Sequence, residues 1–356
     1  MTLGHFICTV GITCVFYCVF KEFPPKTIWS FFILLPVKIQ FIEKSNQNWY
    51  FCTIIKAMKI KYYIQSFRLR TLPLSISGIV VGSACAAQSG GTNLDLFGFA
   101  LLTTLCLQIL SNLSNEVGDL EKGTDNDQRL GPIRSAQSGK LTVHNLKNAM
   151  GLFVVLSVVF GAILVYASFG TLVSVPAIVM LIVGAGAIVA SIKYTFGKKS
   201  YGYLGLGDVF VFIFFGLVSV LGVYFLATGV FDFVYILPAS AIGFLSTGVL
   251  NVNNLRDVEN DTNFNKRTMA VRFGVSSAKF YHTMLVVGAL LLMLVFNLLN
   301  EFGPFAYICF LAVPLFVIHL VKIHTLAGRD LDPQLKVLSL TTLVFSLLIG
   351  IGLLYN

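Results

Sequence analysis

Charged side chains are scarce in this chain. Asp, Glu, Lys and Arg together make up 12% of the 356 residues, about half of their share in an average soluble domain. Hydrophobic residues make up 56%, and the mean hydropathy is +0.83. Too few polar residues are present to cover the surface of a soluble fold. The composition therefore excludes an ordinary soluble domain and predicts an integral membrane protein.

Metal-binding patterns of Cys and His are missing as well. The seven cysteines form no C-x-x-C pair, and neither they nor the five histidines have the spacing of zinc ligands. The sequence therefore gives no support to a zinc or haem site. We expect the cysteines to be buried thiols, and His282 and His319 to make local polar contacts.

Long apolar runs are present instead. After Met58 there are nine of them, each close to the ~20 residues with which a helix crosses a membrane. The runs are continuous, whereas the strands of a membrane barrel alternate between apolar and polar residues. We therefore predict an all-α integral membrane protein, a bundle of nine transmembrane helices. The predicted spans are residues 72–88, 95–117, 143–166, 171–193, 204–227, 232–254, 278–299, 303–324 and 335–355.

Basic residues lie on one side of this predicted topology. From Met58 onward, Lys and Arg lie before the first span or near the connections that follow spans two, four, six and eight. The connections around Gly90, Gly170, Gly229 and Gly303 contain none. The positive-inside rule makes the basic side cytoplasmic, and we expect a multi-pass protein of the bacterial inner membrane. The net charge of +9 is explained by this asymmetry and by anionic lipid, so we expect no nucleic-acid partner.

The first 57 residues do not continue this pattern. They contain two Phe-rich runs around KEFPPK, without the basic start or the small-residue cleavage site of a signal peptide. One interpretation is an additional hairpin. The other, which we favour, is that translation begins at Met58 and that residues 1–57 are an atypical extension, leaving residues 58–356 as the working membrane domain.

The most informative motif is a repeat. NEVGDLEKGTDNDQRLGPIR at 115–134 and NNLRDVENDTNFNKRTMAVR at 253–272 align at a constant offset of 138 residues. The matched pairs are Asn115 with Asn253, Asp119 with Asp257, Thr124 with Thr262, Asp127 with Asn265, Arg129 with Arg267, and Arg134 with Arg272. They follow predicted spans two and six, so both lie on the same face of the membrane. One charged loop would be explained by solvation, but two loops in register are not. We therefore predict two pseudo-repeated halves that share one active site formed by cytoplasmic loops.

Oxygen ligands recur at helical spacing in both copies. Asn253, Asp257 and Asp261 are four residues apart and project from one helix face. Asn115 and Asp119 repeat the first step, after which Gly123 interrupts the helix. Carboxylate and amide oxygens of this kind suit Mg²⁺. The predicted metal ligands are Asp119, Asp125, Asp257, Asp261 and Glu116.

Basic residues accompany the acidic ones, and together they predict a clamp for a diphosphate. The predicted substrate-binding residues at the two motifs are Asn115, Arg129, Arg134, Asn253, Lys266, Arg267 and Arg272.

A third polar cluster lies near spans four and five. Asp208 is about one turn into the fifth span, where an unpaired carboxylate is costly, so we expect a partner such as Lys193, Lys198 or a bound ligand. Before the first span, Arg70 in SFRLRTLPLS is a candidate for a carboxylate-bearing substrate, with lipid headgroups as the alternative.

At this point the motifs resemble a known family. The paired acidic loops after spans two and six look like those of the UbiA superfamily of intramembrane aromatic prenyltransferases. The strings SFRLRTLPLS, QILSNLSNEVGDLEKGTD, YGYLGLGDVFVFIFFGLVSVLG and NVNNLRDVENDTNFNKRT are similar to the branch that prenylates 1,4-dihydroxy-2-naphthoate. The resemblance covers residues 58–356. One departure is Asn115-Glu116, where the family has Asn-Asp, which puts Glu116 in doubt as a direct ligand.

The resemblance implies a Mg²⁺-dependent transfer of a polyprenyl group from polyprenyl diphosphate to 1,4-dihydroxy-2-naphthoate, with loss of CO₂ and diphosphate, to give demethylmenaquinol. It implies that Asp208 contacts the acceptor and that Lys193 contacts the diphosphate or the acceptor. A different aromatic acceptor such as 4-hydroxybenzoate is the near alternative, and a secondary transporter is the distant one.

Overall fold

The computed structural model describes residues 60–91, 93–197 and 200–356. The expected extension 1–57 and Lys198 lie outside these residues. In the described part all regular secondary structure is helical, and nine helices are long and apolar enough to cross a membrane. The first of them is Ile60–Gln88, whose later part, Leu72–Gln88, we call α1. The others are α2 Leu94–Glu121, α3 Val143–Phe169, α4 Val175–Lys193, α5 Gly207–Thr228, α6 Phe233–Arg256, α7 Met269–Leu299, α8 Pro304–Thr325 and α9 Gly328–Leu354.

The all-α prediction and the nine spans are confirmed, and the differences lie at helix ends. Helix α7 begins at Met269 because Thr268 caps it, its side chain accepting a hydrogen bond from the Val271 N–H. Gly274 interrupts α7 with φ of 78° and ψ of 163°. Hydropathy did not reveal this first part of α7, because it carries the charged end of the second motif.

Helix α6 lies at the centre of the larger core. Its Ala239, Ile242, Leu245 and Val252 are fully or almost fully buried, and they pack in one cluster with apolar side chains of α1, α5, α7, α8 and α9. A second, smaller cluster is formed by apolar side chains of all five helices from α1 through α5, with Ile79 among its members. It lies near the end of the bundle opposite the two motifs. A cavity lies between this second cluster and the motifs.

Glycines allow α1, α5 and α6 to approach closely. A Cβ on Gly82 of α1 would lie 2.5 Å from the carbonyl oxygen of Val220 in α5. A Cβ on Gly216 of α5 would lie 2.6 Å from the carbonyl oxygen of Ala239 in α6. Both distances are too short for a real side chain, so these backbones touch only because the positions are glycine.

Polar contacts join the last three helices inside the bundle. The Nε2 atoms of His282 and His319 are 2.9 Å apart, and His319 Nδ1 lies 2.9 Å from Gln334 Oε1. Both imidazoles are fully buried. The expectation of local polar contacts for these two histidines is therefore confirmed.

We predict that Gly82→Leu destabilises the bundle by about 1–3 kcal/mol or more, because the new side chain overlaps the α5 backbone. Thermal unfolding of the purified protein in detergent measures the effect. Gly151→Leu is the matched control, since a Cβ on Gly151 of α3 meets nothing within 4 Å. Equal melting temperatures for the two variants would contradict the proposed contact.

Candidate active site

A cavity of about 470 Å³ runs through the part of the bundle formed by α1 to α6. At one end it is lined by motif residues, including Asn115, Asp119 and Asn253, and we call this the motif end. Toward the other end it is lined by apolar side chains such as Ile79 and Ala100. From Ala100 to Asn115 helix α2 advances about 22 Å. The cavity is thus a long apolar channel with one polar end.

The two motifs meet at this polar end through crossed ion pairs. Arg129 of the first motif lies 3.8 Å from a carboxylate oxygen of Asp257 in the second. Lys266 of the second motif lies 4.0 Å from a carboxylate oxygen of Asp119 in the first. All four side chains are at most 8% exposed. Each motif therefore supplies a cation to a carboxylate of the other.

Further ion pairs hold the acidic residues of the first motif. Arg134 lies 2.9 Å from Asp119 and 2.6 Å from Asp125, and Arg129 lies 3.4 Å from Asp125. Tyr203, in the connection between α4 and α5, donates a hydrogen bond of 3.0 Å to Asp119. The loop after α2 is thereby folded back over the end of its own helix.

The second motif is held in a similar way, although by Arg256, whose counterpart in the first motif is Gly118. Arg256 donates to both oxygens of Asp257, at 3.0 and 2.5 Å, and to Oδ1 of Asn253 at 2.8 Å. Asp261 lies 3.6 Å from Lys266. Since Lys266 also approaches Asp119, one buried ammonium group connects a carboxylate of each motif.

Burial and neighbouring charges shift the pKa values of the acidic residues in different directions. Burial raises the pKa of Asp261 to about 6, and it also raises the pKa of Asp125 despite Arg134 and Arg129 nearby. Burial acts in the same direction on Asp257, but the hydrogen bonds and charge of Arg256 outweigh it and lower the pKa of that carboxyl. A cation bound in this site would favour the ionised forms of Asp125 and Asp261, whose pKa values burial raises.

The donor chemistry of the site fits Mg²⁺. Among the described residues, Oδ2 of Asp261 is buried and accepts no hydrogen bond, so this oxygen has capacity for a cation. In the same residues, no three acidic, His or Cys side chains already surround one point closely enough to hold a metal. Several carboxylates would have to turn away from their Arg and Lys partners to bind one ion together.

The expected pseudo-symmetry is broken among the basic residues. Arg134 is buried against two aspartates, whereas its repeat partner Arg272 is exposed and donates to the carbonyl of Leu204 at 2.7 Å. Arg129 is buried between the motifs, whereas its partner Arg267 is exposed. The two motifs therefore contribute different buried cations to the predicted clamp. The first supplies Arg129 and Arg134, and the second supplies Lys266 in place of Arg267 and Arg272.

Outside the cavity lining are six predicted residues of the motifs, namely Asp125, Arg129, Asp257, Asp261, Arg267 and Arg272. Four further predicted site residues also lie away from the lining. Arg70 pairs with Asp332 at 3.0 Å, and Lys193 is exposed. Glu116 accepts a hydrogen bond of 2.8 Å from the Ala136 N–H, so its carboxylate holds the loop. In the described part of the chain none of them is among the lining side chains.

Asp208, the fourth, is also outside this lining. Among the described residues its carboxylate has a partner in Tyr281 of α7, whose hydroxyl donates at 3.4 Å. This tyrosine was not among the expected partners, which were Lys193, Lys198 or a bound ligand. The contact with Tyr281 has a simple cause. Asp208 is on the side of α5 that packs toward α6 and α7, where the Thr247 hydroxyl also donates to its backbone carbonyl at 3.4 Å.

Sequence reasoning missed an arginine that does line the cavity. Arg68 is two residues before Arg70 in the same string, and its φ of 50° turns the chain just before α1. Within the described residues its Nη2 atom is buried without a hydrogen-bond partner. An unpaired guanidinium nitrogen at the polar end of a cavity is a ready donor for an anionic ligand.

Aromatic side chains line the cavity beside the motif end. Tyr201 stacks on Phe210 with ring centroids 3.9 Å apart, and Tyr194 meets Tyr201 edge-on at 5.4 Å. Phe214 continues the row along α5, 6.2 Å from Phe210. These rings present polarisable faces next to the polar end.

Comparison with known proteins identifies relatives of this chain. The UbiA prenyltransferase family model matches residues 75–343. The chain is 39% identical to the 1,4-dihydroxy-2-naphthoate octaprenyltransferase of Haemophilus influenzae, over 83% of this chain and 96% of that protein. It is 41% identical to the Escherichia coli protein of the same description, over 76% of this chain and 86% of that protein.

Solved structures share the fold. A UbiA homolog from Aeropyrum pernix K1 superposes with a TM-score of 0.61 at 15% identity, over 81% of this chain and 98% of that chain. A UbiA homolog from Archaeoglobus fulgidus, bound to DMAPP and Mg²⁺, gives a TM-score of 0.53 at 16% identity, over 80% of this chain and 99% of that chain. Motifs, fold and sequence identity agree, and the chain belongs to the UbiA prenyltransferase family.

Proposed function

We propose that this protein transfers a polyprenyl group from polyprenyl diphosphate to 1,4-dihydroxy-2-naphthoate, releasing CO₂ and diphosphate and giving demethylmenaquinol. The observation that carries the proposal is the position of the crossed acidic and basic motifs at one end of a long apolar cavity. The relatives described as 1,4-dihydroxy-2-naphthoate octaprenyltransferases support the choice of acceptor.

The motif end is suited to a diphosphate. Asp119, Asp125, Asp257 and Asp261 would hold Mg²⁺, which when bound supplies positive charge to the leaving diphosphate. Arg134 and Lys266 line the same end and would donate to the diphosphate oxygens, and Arg129 balances the charge between the motifs. The amide groups of Asn115 and Asn253 complete the polar lining. The exposed Arg267 and Arg272 would act at the rim, on the incoming anion.

The prenyl tail would occupy the apolar part of the cavity. Heterolysis of the C–O bond gives the electron pair to diphosphate and leaves an allylic cation beside the rings of Tyr194, Tyr201 and Phe210. Aromatic faces stabilise such a cation, and the apolar walls keep water from capturing it. The acceptor ring then forms the new C–C bond, and breakage of the bond to the carboxylate releases CO₂ and restores aromaticity.

The acceptor would approach the same polar end. We assign the carboxylate of the acceptor to Arg68, which lines the cavity. Arg70 is a weaker candidate because it forms an ion pair with Asp332. Asp208 and Lys193, which lie outside the lining, would act through other residues and not on the acceptor directly. Glu116 would act by holding the loop after α2.

We further propose that the motif end faces the cytoplasm of a bacterial cell, with the bundle in the inner membrane. The concentration of Lys and Arg at this end of the helices supports the orientation.

Acceptor choice is tested with membranes that contain the protein and one polyprenyl diphosphate donor. We predict a prenylated, decarboxylated product with 1,4-dihydroxy-2-naphthoate, dependent on added Mg²⁺, and none with 4-hydroxybenzoate. Chromatography of the lipid extract detects both products. A product from 4-hydroxybenzoate alone would refute the acceptor assignment, and the absence of diphosphate release with either acid would favour a transporter.

The shared clamp is tested by isosteric charge removal. Asp119→Asn and Asp257→Asn should each lower kcat about 100-fold or more, because each removes charge from the site that binds the leaving group. Asp127→Asn and Glu259→Gln are the matched controls, since both side chains lie in the same motifs and are exposed. Near-parent turnover in either Asp119→Asn or Asp257→Asn would rule out a site shared by both motifs.

The tail channel is tested at a glycine in its wall. Gly184 of α4 lines the cavity, and a Cβ there meets nothing within 4 Å, so Gly184→Leu should project into the channel without a clash. We expect kcat/KM to fall about tenfold for a long prenyl diphosphate and much less for dimethylallyl diphosphate. Gly186→Leu is the control, because Gly186 is also free of neighbours within 4 Å but lies outside the lining. Equal losses with both donors would contradict the channel assignment.

A further inference from the structure

Arg256 is a cation with no exposure to solvent at the end of α6. Besides Asp257 and Asn253 of the second motif, it has a third partner, Asp332 at the start of the long helical part of α9, to which its Nη1 donates. Asp332 lies 76 positions further along the chain. The repeat has no counterpart of this contact, since α9 follows both motif-bearing halves.

Asp332 is itself shared between two arginines. Arg70, just before α1, donates to both of its carboxylate oxygens at 3.0 Å. The Asp332 side chain is 25% exposed, whereas Asp257 is 4% exposed. The order of contacts is therefore Arg70, Asp332, Arg256, Asp257, an alternating row of charges that runs from the bundle edge into the motif end.

Metal binding creates a charge problem for this row. Each oxygen of Asp257 accepts a hydrogen bond from Arg256, so Mg²⁺ bound at a remaining lone pair of Asp257 would compete with Arg256 for the same negative charge. Arg256 would then be a buried guanidinium whose closest anion is shared with the metal, which is unfavourable unless another anion remains. Asp332 is the anion within hydrogen-bond reach.

We propose that Asp332 is a positioning residue for the metal site: it retains Arg256 when Asp257 turns to Mg²⁺, and so sets the Mg²⁺ affinity of the second motif. This inference rests on the proposed function. A second role follows for Arg70, which competes with Arg256 for Asp332 and thereby weakens the hold of Asp332 on Arg256.

The bland alternative is that these ion pairs only tie α1, α6 and α9 together. The two explanations differ in the sign of the change in Mg²⁺ affinity that they predict for the Arg70 variant. A structural tie is broken in the same way by loss of either end, whereas charge competition gives opposite effects for Asp332 and Arg70.

The test is Asp332→Asn, which keeps the side-chain shape and an acceptor for Arg256 but removes the charge. We expect the Mg²⁺ concentration for half-maximal turnover to rise about tenfold or more, as for other outer partners of metal ligands, with a smaller change in kcat at saturating Mg²⁺. Mn²⁺ binding to the protein without substrate, followed by electron paramagnetic resonance, should weaken in parallel. Asp332→Glu should recover part of the affinity.

Arg70→Gln should give a half-saturating Mg²⁺ concentration at or below that of the parent. Asp330→Asn is the matched control, since Asp330 is exposed two positions before Asp332, and it should leave the Mg²⁺ dependence unchanged. Melting temperatures of all variants are measured alongside.

An unchanged Mg²⁺ requirement and Mn²⁺ affinity in Asp332→Asn would overturn the inference, and so would a raised requirement in Arg70→Gln. Lost turnover in Asp332→Asn that added Mg²⁺ does not restore, with unaltered Mn²⁺ binding, would overturn it as well. A parent protein that shows no Mg²⁺-dependent diphosphate release would instead refute the proposed function.

Discussion

The two acidic motifs neutralise each other's charges at one end of the bundle, and the arrangement of the site depends on this exchange. Lys266 of the second motif approaches Asp119 of the first, while Arg129 of the first approaches Asp257 of the second. Carboxylates buried this deeply are tolerated only when cations and hydrogen bonds surround them. The crossing of the pairs therefore obliges both loops to fold over the same end of the cavity.

Helix packing positions the two motifs for these ion pairs. Glycine contacts draw α1, α5 and α6 together, and the large core around α6 fixes the start of the second motif. The first motif follows α2, which lines the same cavity. Side chains of both motifs therefore meet at the polar end of an apolar channel. A ligand with a diphosphate head and a long hydrocarbon tail matches this division.

Much of this could be predicted from the sequence, for identifiable reasons. Spans of membrane length are visible as continuous apolar runs, and an even number of spans between the motifs puts both at one end. Helical spacing of Asn253, Asp257 and Asp261 indicated an oxygen-rich face. Exchange of partners between the loops follows from their proximity, although the pattern did not say which cation meets which acid.

Contacts set by backbone direction or by distant residues were not predictable. Arg68 and Arg70 are two positions apart, yet only Arg68 lines the cavity, because the left-handed backbone at Arg68 turns the chain between them. Arg134 and Arg272 match in the repeat, but only Arg134 is buried. The partner of Asp208 is on α7, and Arg256 finds Asp332 on α9. No local pattern signals such pairings, since they depend on how whole helices pack.

The central claim is that both motifs hold a single diphosphate. Its most direct test is a binding titration of the purified protein with a non-reactive prenyl diphosphate analogue in the presence of Mg²⁺. The account predicts one analogue per chain, and loss of that single binding event when either Asp119 or Asp257 is replaced by Asn. Two analogues per chain, with each substitution removing only one of them, would contradict it.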